Sequence, residues 1–425
     1  MIAIVASIIF ILGYLSIAFE SRLRVNKSAV ALAMGGALWA LLGFYNSELV
    51  QEEIVHVSFE IFSVVIFLLA AMSLVEILVH YRLFDVIRGK IFQYKLDDQQ
   101  QFVIITAVAF VLSAVIDNLT ATIVMIQIAT RFFKGQNLLV AAVGVVIAAN
   151  AGGSWSPIGD VTTIMLWLAH KFEAIQIITR GIVPSLAIYA VAVLMLRRKI
   201  KRTTSDVPNE IVTKLSRSEK LVISLVGISF MLPIVAKTIG LPPVLGLLLG
   251  LGIVWMVIDS LKTLNRHQTH LTASIEHLIQ KTDISSIKFF IGILLAVSAL
   301  NILGVLQYVS GFLYGADPSG VKIAIGNVIL GMVSSVLDNI PLTAIAIDML
   351  HTETVSLWIL LAIAVGTGGS LLSVGSAAGV VAMGMIKELT FERYFKIGFV
   401  PALVSFLVGI SVWALQYFLI FHGAA

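Results

Sequence analysis

Apolar stretches of at least 18 residues recur along the whole of this 425-residue chain. Each is long enough to cross the hydrocarbon core of a bilayer as a helix. Composition agrees: 59% of the residues are hydrophobic and 12% are Asp, Glu, Lys or Arg, about half the charged fraction of a soluble protein. The expected fold class is therefore an all-α polytopic membrane protein, whose first partner is the lipid bilayer. The absence of Cys removes disulfides, thiolate metal sites and Cys nucleophiles. The net charge is +4, but the basic residues fall in loops between apolar runs. That pattern sets membrane topology and does not suggest nucleic-acid binding. The first run, 1–18, has no basic region ahead of it, which argues against a cleaved signal peptide.

Full spans are expected near 1–19, 28–45, 55–79, 137–168, 176–196, 221–238, 241–258, 287–311, 355–385 and 395–421. Two further apolar segments, 102–130 and 321–350, each carry an Asp-Asn pair near the middle. Both are long enough for two half-length helices that enter and leave on one side. Charge decides how they run. With both as re-entrant hairpins and the N-terminus outside, the inside loops are 20–27, 80–101, 131–136, 197–220, 259–288 and 386–396. They hold 24 of the 28 Lys and Arg residues, leaving Lys171, Arg180, Lys237 and Lys322 outside. If both segments spanned fully, RRKIKR at 197–202 would face outside, against the positive-inside rule.

Each half then has five full spans and one hairpin. Five is odd, so the halves are inverted relative to each other, as in many secondary transporters. The expected organisation is a first inverted repeat over 1–196, a basic cytoplasmic linker over 197–220 and a second inverted repeat over 221–425. Both termini fall on the outer face. HLTASIEHLIQ, within 259–286, looks amphipathic and suits the membrane surface.

The halves also repeat in detail. SAVIDNLTAT at 113–122 aligns with SSVLDNIPLT at 334–343, offset by 221: Ser113, Asp117, Asn118 and Thr122 match Ser334, Asp338, Asn339 and Thr343. NAGGSWSPIGDVTT at 150–163 has a looser counterpart in GTGGSLLSVGSAAG at 366–379, where GGS and a later Gly match at an offset of 216. Each half therefore reads as a hairpin tip followed by a Gly-rich break in the next span. Irregular backbone at membrane depth must be buried in protein or line a watery cavity. Pro157 and Pro341 suit the first turn of a half-helix with a polar cap just ahead. Half-helix C-termini would offer free carbonyl oxygens to a cation, and Asp, Asn, Ser and Thr oxygens would complete a hard-cation shell.

Charge inside a bilayer is costly, roughly 2.5–3.5 kcal/mol per Asp. Asp117, Asp160 and Asp338 lie deep in apolar segments, with no Lys or Arg in the same motifs. Lacking a cation partner, they are expected to hold a proton part of the time, and a small cation can displace it. Two ligands competing for one carboxylate site is the minimum chemistry of cation/proton exchange. Na⁺ is expected at Asp117, Asn118, Asp338 and Asn339, with Thr120 in the same tip. Plainer readings exist: Asn118 and Asn339 as helix caps, and Ser373 and Ser376 as helix-to-helix hydrogen bonders. Glu60 is a candidate for a proton path, while His56, Asp348 and His351 read as interfacial.

These motifs resemble the NhaD-type sodium/proton antiporters of the ion transporter superfamily, over essentially the whole chain. The resemblance implies exchange of Na⁺, and often Li⁺, for H⁺ across a bacterial inner membrane. It also implies a homodimer whose transport domain moves against a scaffold. No motif points to a nucleotide, a haem or a covalent cofactor, so none is expected. The functional polar positions would fall on Ser113, Asp117, Asn118, Asn150, Asp160, Thr162, Thr163, Asp338, Asn339, Ser373 and Ser376. Relatives that carry carboxylate anions have a Ser-Asn-Thr type of tip, whereas here Asp precedes Asn in both. Three rivals remain: a transporter of another solute, such as arsenite, an organic acid or Mg²⁺, on a similar scaffold; an intramembrane aspartyl protease; and a channel. The duplicated Asp-Asn placement is unexplained by a protease, and carrier symmetry does not suit a channel.

Overall fold

The computed structural model describes residues 2–18, 25–93, 97–202, 215–264, 284–315, 318–372 and 374–421. The segment 270–280, the whole of 203–214 and Ser373 lie outside these residues. Among the described residues every regular element is helical, and eight helices are long and apolar enough to cross a membrane.

One group of helices forms a bundle of ordinary spans. It comprises α1 (Ile2–Ala18), α2 (Lys27–Tyr45), α3 (Ser47–His80), α10 (Arg217–Ser229), α11 (Leu232–Thr238), α12 (Pro243–Leu264) and α13 (Ile284–Ile302). Asn46 ends α2 and starts α3, its side chain accepting from Leu49 N at 3.1 Å. α2 packs closely on α13. A Cβ on Gly35 would strike the Gly292 carbonyl, and one on Gly292 would strike Ala31 backbone. Small residues at such a crossing let two membrane helices approach at backbone distance. Trp39 Nε1 donates to Leu295 O at 2.9 Å across the same seam.

Two expected spans are interrupted. The 221–238 span divides into α10 and α11, with Pro233 at the start of α11, where its missing N–H removes a rung from a continuous ladder. The 287–311 span divides at Gly304 (φ +74°) into α13 and α14 (Val305–Leu313), a left-handed conformation that glycine adopts without a Cβ clash. The short α4 (Leu83–Gln93) lies inside what reads as a loop.

The second group holds the repeated elements. The segments expected as hairpins are interrupted at the Asp-Asn pairs, giving α5 (Asp98–Ser113) and α6 (Asn118–Phe132), then α15 (Gly320–Val333) and α16 (Asn339–Met349). The Gly-rich segments divide into α7 (Gly135–Gly153) and α8 (Val161–Leu168), and into α17 (Val355–Gly368) and α18 (Ala377–Met385). α9 (Ala174–Arg197) and α19 (Phe391–Gln416) pack against each other beside them. α7 and α17 are almost wholly buried, so protein surrounds their broken ends, as irregular backbone at membrane depth requires.

The repeat extends to individual contacts. Ser113 Oγ donates to Ala149 O at 2.6 Å, and Ser334 Oγ donates to Val365 O at 2.8 Å. A Cβ on Gly159 would meet the Ser113 carbonyl, and one on Gly375 the Ser334 carbonyl; Gly152 and Gly368 abut Phe110 and Gly331 in the same way. All of these pairs keep the offsets read from the sequence. The halves also exchange partners, with α6 of the first packing on α18 of the second and α16 on α8.

The basic segments gather at common ends. Asn137 Nδ2 donates to Lys201 O, Gln99 Nε2 to Ile200 O and Lys199 Nζ to Ile397 O. These bonds join the segments at 97–101, 134–137, 197–202 and 397. Three cations of the expected outer set meet elsewhere: Lys171 over the Trp358 ring, Arg180 on Ser356 and Lys237 on Glu173.

Candidate ion-binding site

Four half-helices begin around one narrow cavity. Asp117 caps α6, accepting from Thr120 N at 2.8 Å and Thr120 Oγ1 at 2.6 Å. Asp338 caps α16, accepting from Ile340 N at 3.2 Å. Asp160 caps α8, accepting from Thr162 N at 2.8 Å, and Ser376 caps α18 through Gly379 N. The first residues of all four helices line the cavity. Its volume of about 60 Å³ is room for an ion with a few waters.

Asp160 is the hub. It is 1% exposed, and a carboxamide from each Asp-Asn interruption points at it. Asn118 Nδ2 donates to Asp160 Oδ2 at 2.6 Å, and Asn339 Nδ2 donates to Asp160 Oδ1 at 3.1 Å. Asn118 also donates to Asn150 Oδ1 at 3.1 Å. Asn150 in turn donates to Ser370 Oγ at 2.8 Å and Ser376 Oγ at 3.2 Å. One buried network therefore joins both tips to both breaks. Thr163 closes the α8 start, donating from its hydroxyl to Asp160 O at 2.8 Å.

Several expectations are corrected. Asn118 and Asn339 are not the caps; Asp117 and Asp338 are, which frees the carboxamides to reach Asp160. Pro157 lies in the break and not in a first turn, because Asp160 starts α8 three residues later; Pro341 does sit in the first turn of α16. Helix N-termini, not C-terminal carbonyls, dominate the cavity wall. Each N-terminus carries about half a positive charge, so the capping carboxylates are what turn the wall from anion-attracting to cation-attracting. The acids also have a cation nearby, since Lys27 of α2 lines the same cavity. Its motif is remote in sequence, so no local pattern signalled it.

Asp117, Asn118, Asp160, Asp338 and Asn339 line the cavity directly. Asn150 and Ser376 support them from one layer behind. Ser113 and Ser334 brace the tips against α7 and α17, and Thr120 holds Asp117. Ser370 was missed by sequence reasoning; it is the Ser154 counterpart within GGS at the same offset of 216, which was the available signal. Glu60 is elsewhere. It lines a second cavity of about 150 Å³ with Asp348, Ser63 and Ser298, its side chain 63% exposed and 3.2 Å from His56 Nε2. Among the described residues no three His, Cys, Asp or Glu side chains are grouped closely enough to hold a metal ion.

Membrane-length helices wrapped around two broken ones, with a buried polar network at the breaks, define a polytopic helical membrane protein. The citrate transporter family profile (CitMHS) matches residues 8–366. Sodium/proton antiporter 2 of Arabidopsis thaliana is 34% identical over 421 residues, 96% of this chain and 98% of that protein. The Na⁺/H⁺ antiporters NhaD of Halomonas elongata and Vibrio cholerae are each 30% identical, covering 95% of this chain and 88% and 91% of theirs. The chain belongs to the CitMHS family, among its NhaD-type sodium/proton antiporters.

Proposed function

We propose that this chain exchanges Na⁺, and also Li⁺, for H⁺ across a bacterial plasma membrane by alternating access. The observation that carries the reading is Asp160, buried and clasped by one carboxamide from each hairpin tip, in a cavity shared with Asp117 and Asp338. The Asp160 carboxylate, with Asp117 and Asp338 elsewhere on the same wall and carboxamides beside it, offers the hard oxygen donors that suit a small cation. Either a proton or that cation neutralises the buried charge, so loading one displaces the other. The relatives' names, sodium/proton antiporter and NhaD, support the same ion pair.

The moving unit is the two hairpins with the two broken spans, working against the α1–α3 and α10–α13 scaffold. The cavity at Asp160 and the cavity at Glu60 are two halves of one path. Both are walled by α3, α8, α13 and α16. Glu60 feeds protons at the second cavity. The repeats are inverted, residues 1–196 against 221–425 about the 197–220 linker, with both termini outside. The working form is a homodimer.

A second reading takes its support from the family description: an organic acid such as citrate as cargo. Three carboxylates on the cavity wall repel such an anion. Antiport in everted membrane vesicles, reported by a pH-gradient dye, tests the choice. Dequenching on addition of Na⁺ is expected. Citrate uptake with no Na⁺/H⁺ exchange would reverse it.

A further inference from the structure

We propose that Lys27 is a tethered counter-cation of the ion site, occupying its charge in this conformation and competing there with the transported cation. This rests on the reading of the site as a cation site.

Three observations meet. Lys27 lines the cavity that also holds Asp117, Asp160 and Asp338. Its ammonium lies 4.9 Å from the centroid of Phe289, another wall residue, a distance at which the ring face attracts a cation. It is also near enough to Asp338 for its charge to act on that carboxylate.

Charge bookkeeping gives the ammonium its role. Four helix N-termini, at about half a unit each, offset about two of the three carboxylates. About one unit of negative charge remains, which one monovalent cation satisfies. Na⁺, a proton and the Lys27 ammonium are three ways to supply it. They differ in attachment: Lys27 and Phe289 belong to α2 and α13, which pack on each other in the scaffold, whereas the acids belong to the hairpins and the broken helix. Movement of the second group against the first separates the ammonium from the acids. Lys27 therefore lowers cation affinity where the cavity opens beside the starts of α2 and α13, and not at the opposite face. It is a positioned charge that promotes release on one side.

The test uses the full-length protein in proteoliposomes of defined orientation, with wild type, Lys27→Met and Lys27→Arg. In Lys27→Met the KM for Na⁺ is expected to fall about three- to tenfold, up to ~1.4 kcal/mol, when Na⁺ is presented at the Lys27 face. The maximal rate should fall with it, because a tighter ion leaves more slowly, and the KM at the other face should hold. Lys27→Arg should restore the wild-type KM. An unchanged KM at both faces, or an equal change at both, overturns the proposal, since a merely structural lysine has no sidedness. If Lys27→Met fails to fold, Phe289→Leu, which removes the ring under the ammonium, should give the same one-sided shift in smaller measure. Na⁺ titration calorimetry on the purified proteins separates this idea from the antiport reading. Wild type without exchange would sink the latter alone, while unchanged Na⁺ affinity in Lys27→Met would sink the role of Lys27.

Discussion

Asn118 and Asn339 stand 221 residues apart, each the first residue of a half-helix, and both donate to the carboxylate of Asp160, at 2.6 and 3.1 Å. The two halves of the chain thus read one acid. Asp160 belongs to the first half, and its counterpart at the offset of 216 is Ser376. The repeat is broken in chemistry at the one position where both tips meet.

Asp160→Asn should abolish exchange while leaving the fold intact. Asn is as good an N-cap as Asp, so α8 keeps its start, but the buried charge is gone. Removing one partner of a buried charged interaction costs about 2–5 kcal/mol, or roughly 30-fold and more in affinity. Vesicle exchange together with thermal melting checks both halves of the statement. Full activity in this variant would rule out Asp160 as the hub.

Thr120→Val should destabilise the start of α6. Its hydroxyl donates to Asp117 Oδ2 at 2.6 Å, and a hydrogen bond to a charged group is worth about 1.5–3 kcal/mol. The loss appears as a lower melting temperature in detergent. The corresponding site, Pro341, has no hydroxyl to lose, so the effect is confined to one half.

Gly159→Ala and Gly375→Ala should behave alike. In each, the new Cβ runs into a backbone carbonyl just ahead of an Asp-Asn pair, of Ser113 or Ser334, and overpacking of this kind costs about 1–3 kcal/mol. Gly36→Ala and Gly252→Ala meet nothing within 4 Å and should be neutral or slightly stabilising in their helices. Melting temperatures of the four variants give the comparison, and a tolerant Gly375 beside an intolerant Gly159 would break the equivalence of the tips.

The KM for Na⁺ should rise as the pH falls. In the proposed exchange proton and cation share one carboxylate, so acid favours the protonated, Na⁺-free site, and one competing proton gives a slope of at most about tenfold per pH unit. Initial rates at several fixed pH values supply the measurement; a KM independent of pH would separate the two binding events.

Glu60→Gln should slow exchange without abolishing it, by about two- to tenfold, because an exposed acid at a cavity mouth concentrates cations but does not hold the transported one. Complete loss would move Glu60 into the site itself.

Much of this was legible in the sequence. Long apolar runs fixed the membrane helices, since lipid leaves no other way to satisfy the backbone. The paired SAVIDN and SSVLDN segments located both tips, and the GGS segments located both breaks, because acids and clustered glycines in oil stand out against a simple background. Those signals are local. Which side chain caps and which reaches across was decided by tertiary structure, since Asp-Asn can play either role until a partner sits opposite. The centrality of Asp160, the help of Ser370 and the arrival of Lys27 all depend on segments tens to hundreds of residues apart packing to within hydrogen-bonding or charge range. By itself the sequence determined how many polar interruptions the bilayer must tolerate; only folding decided that they face one another around a single charge.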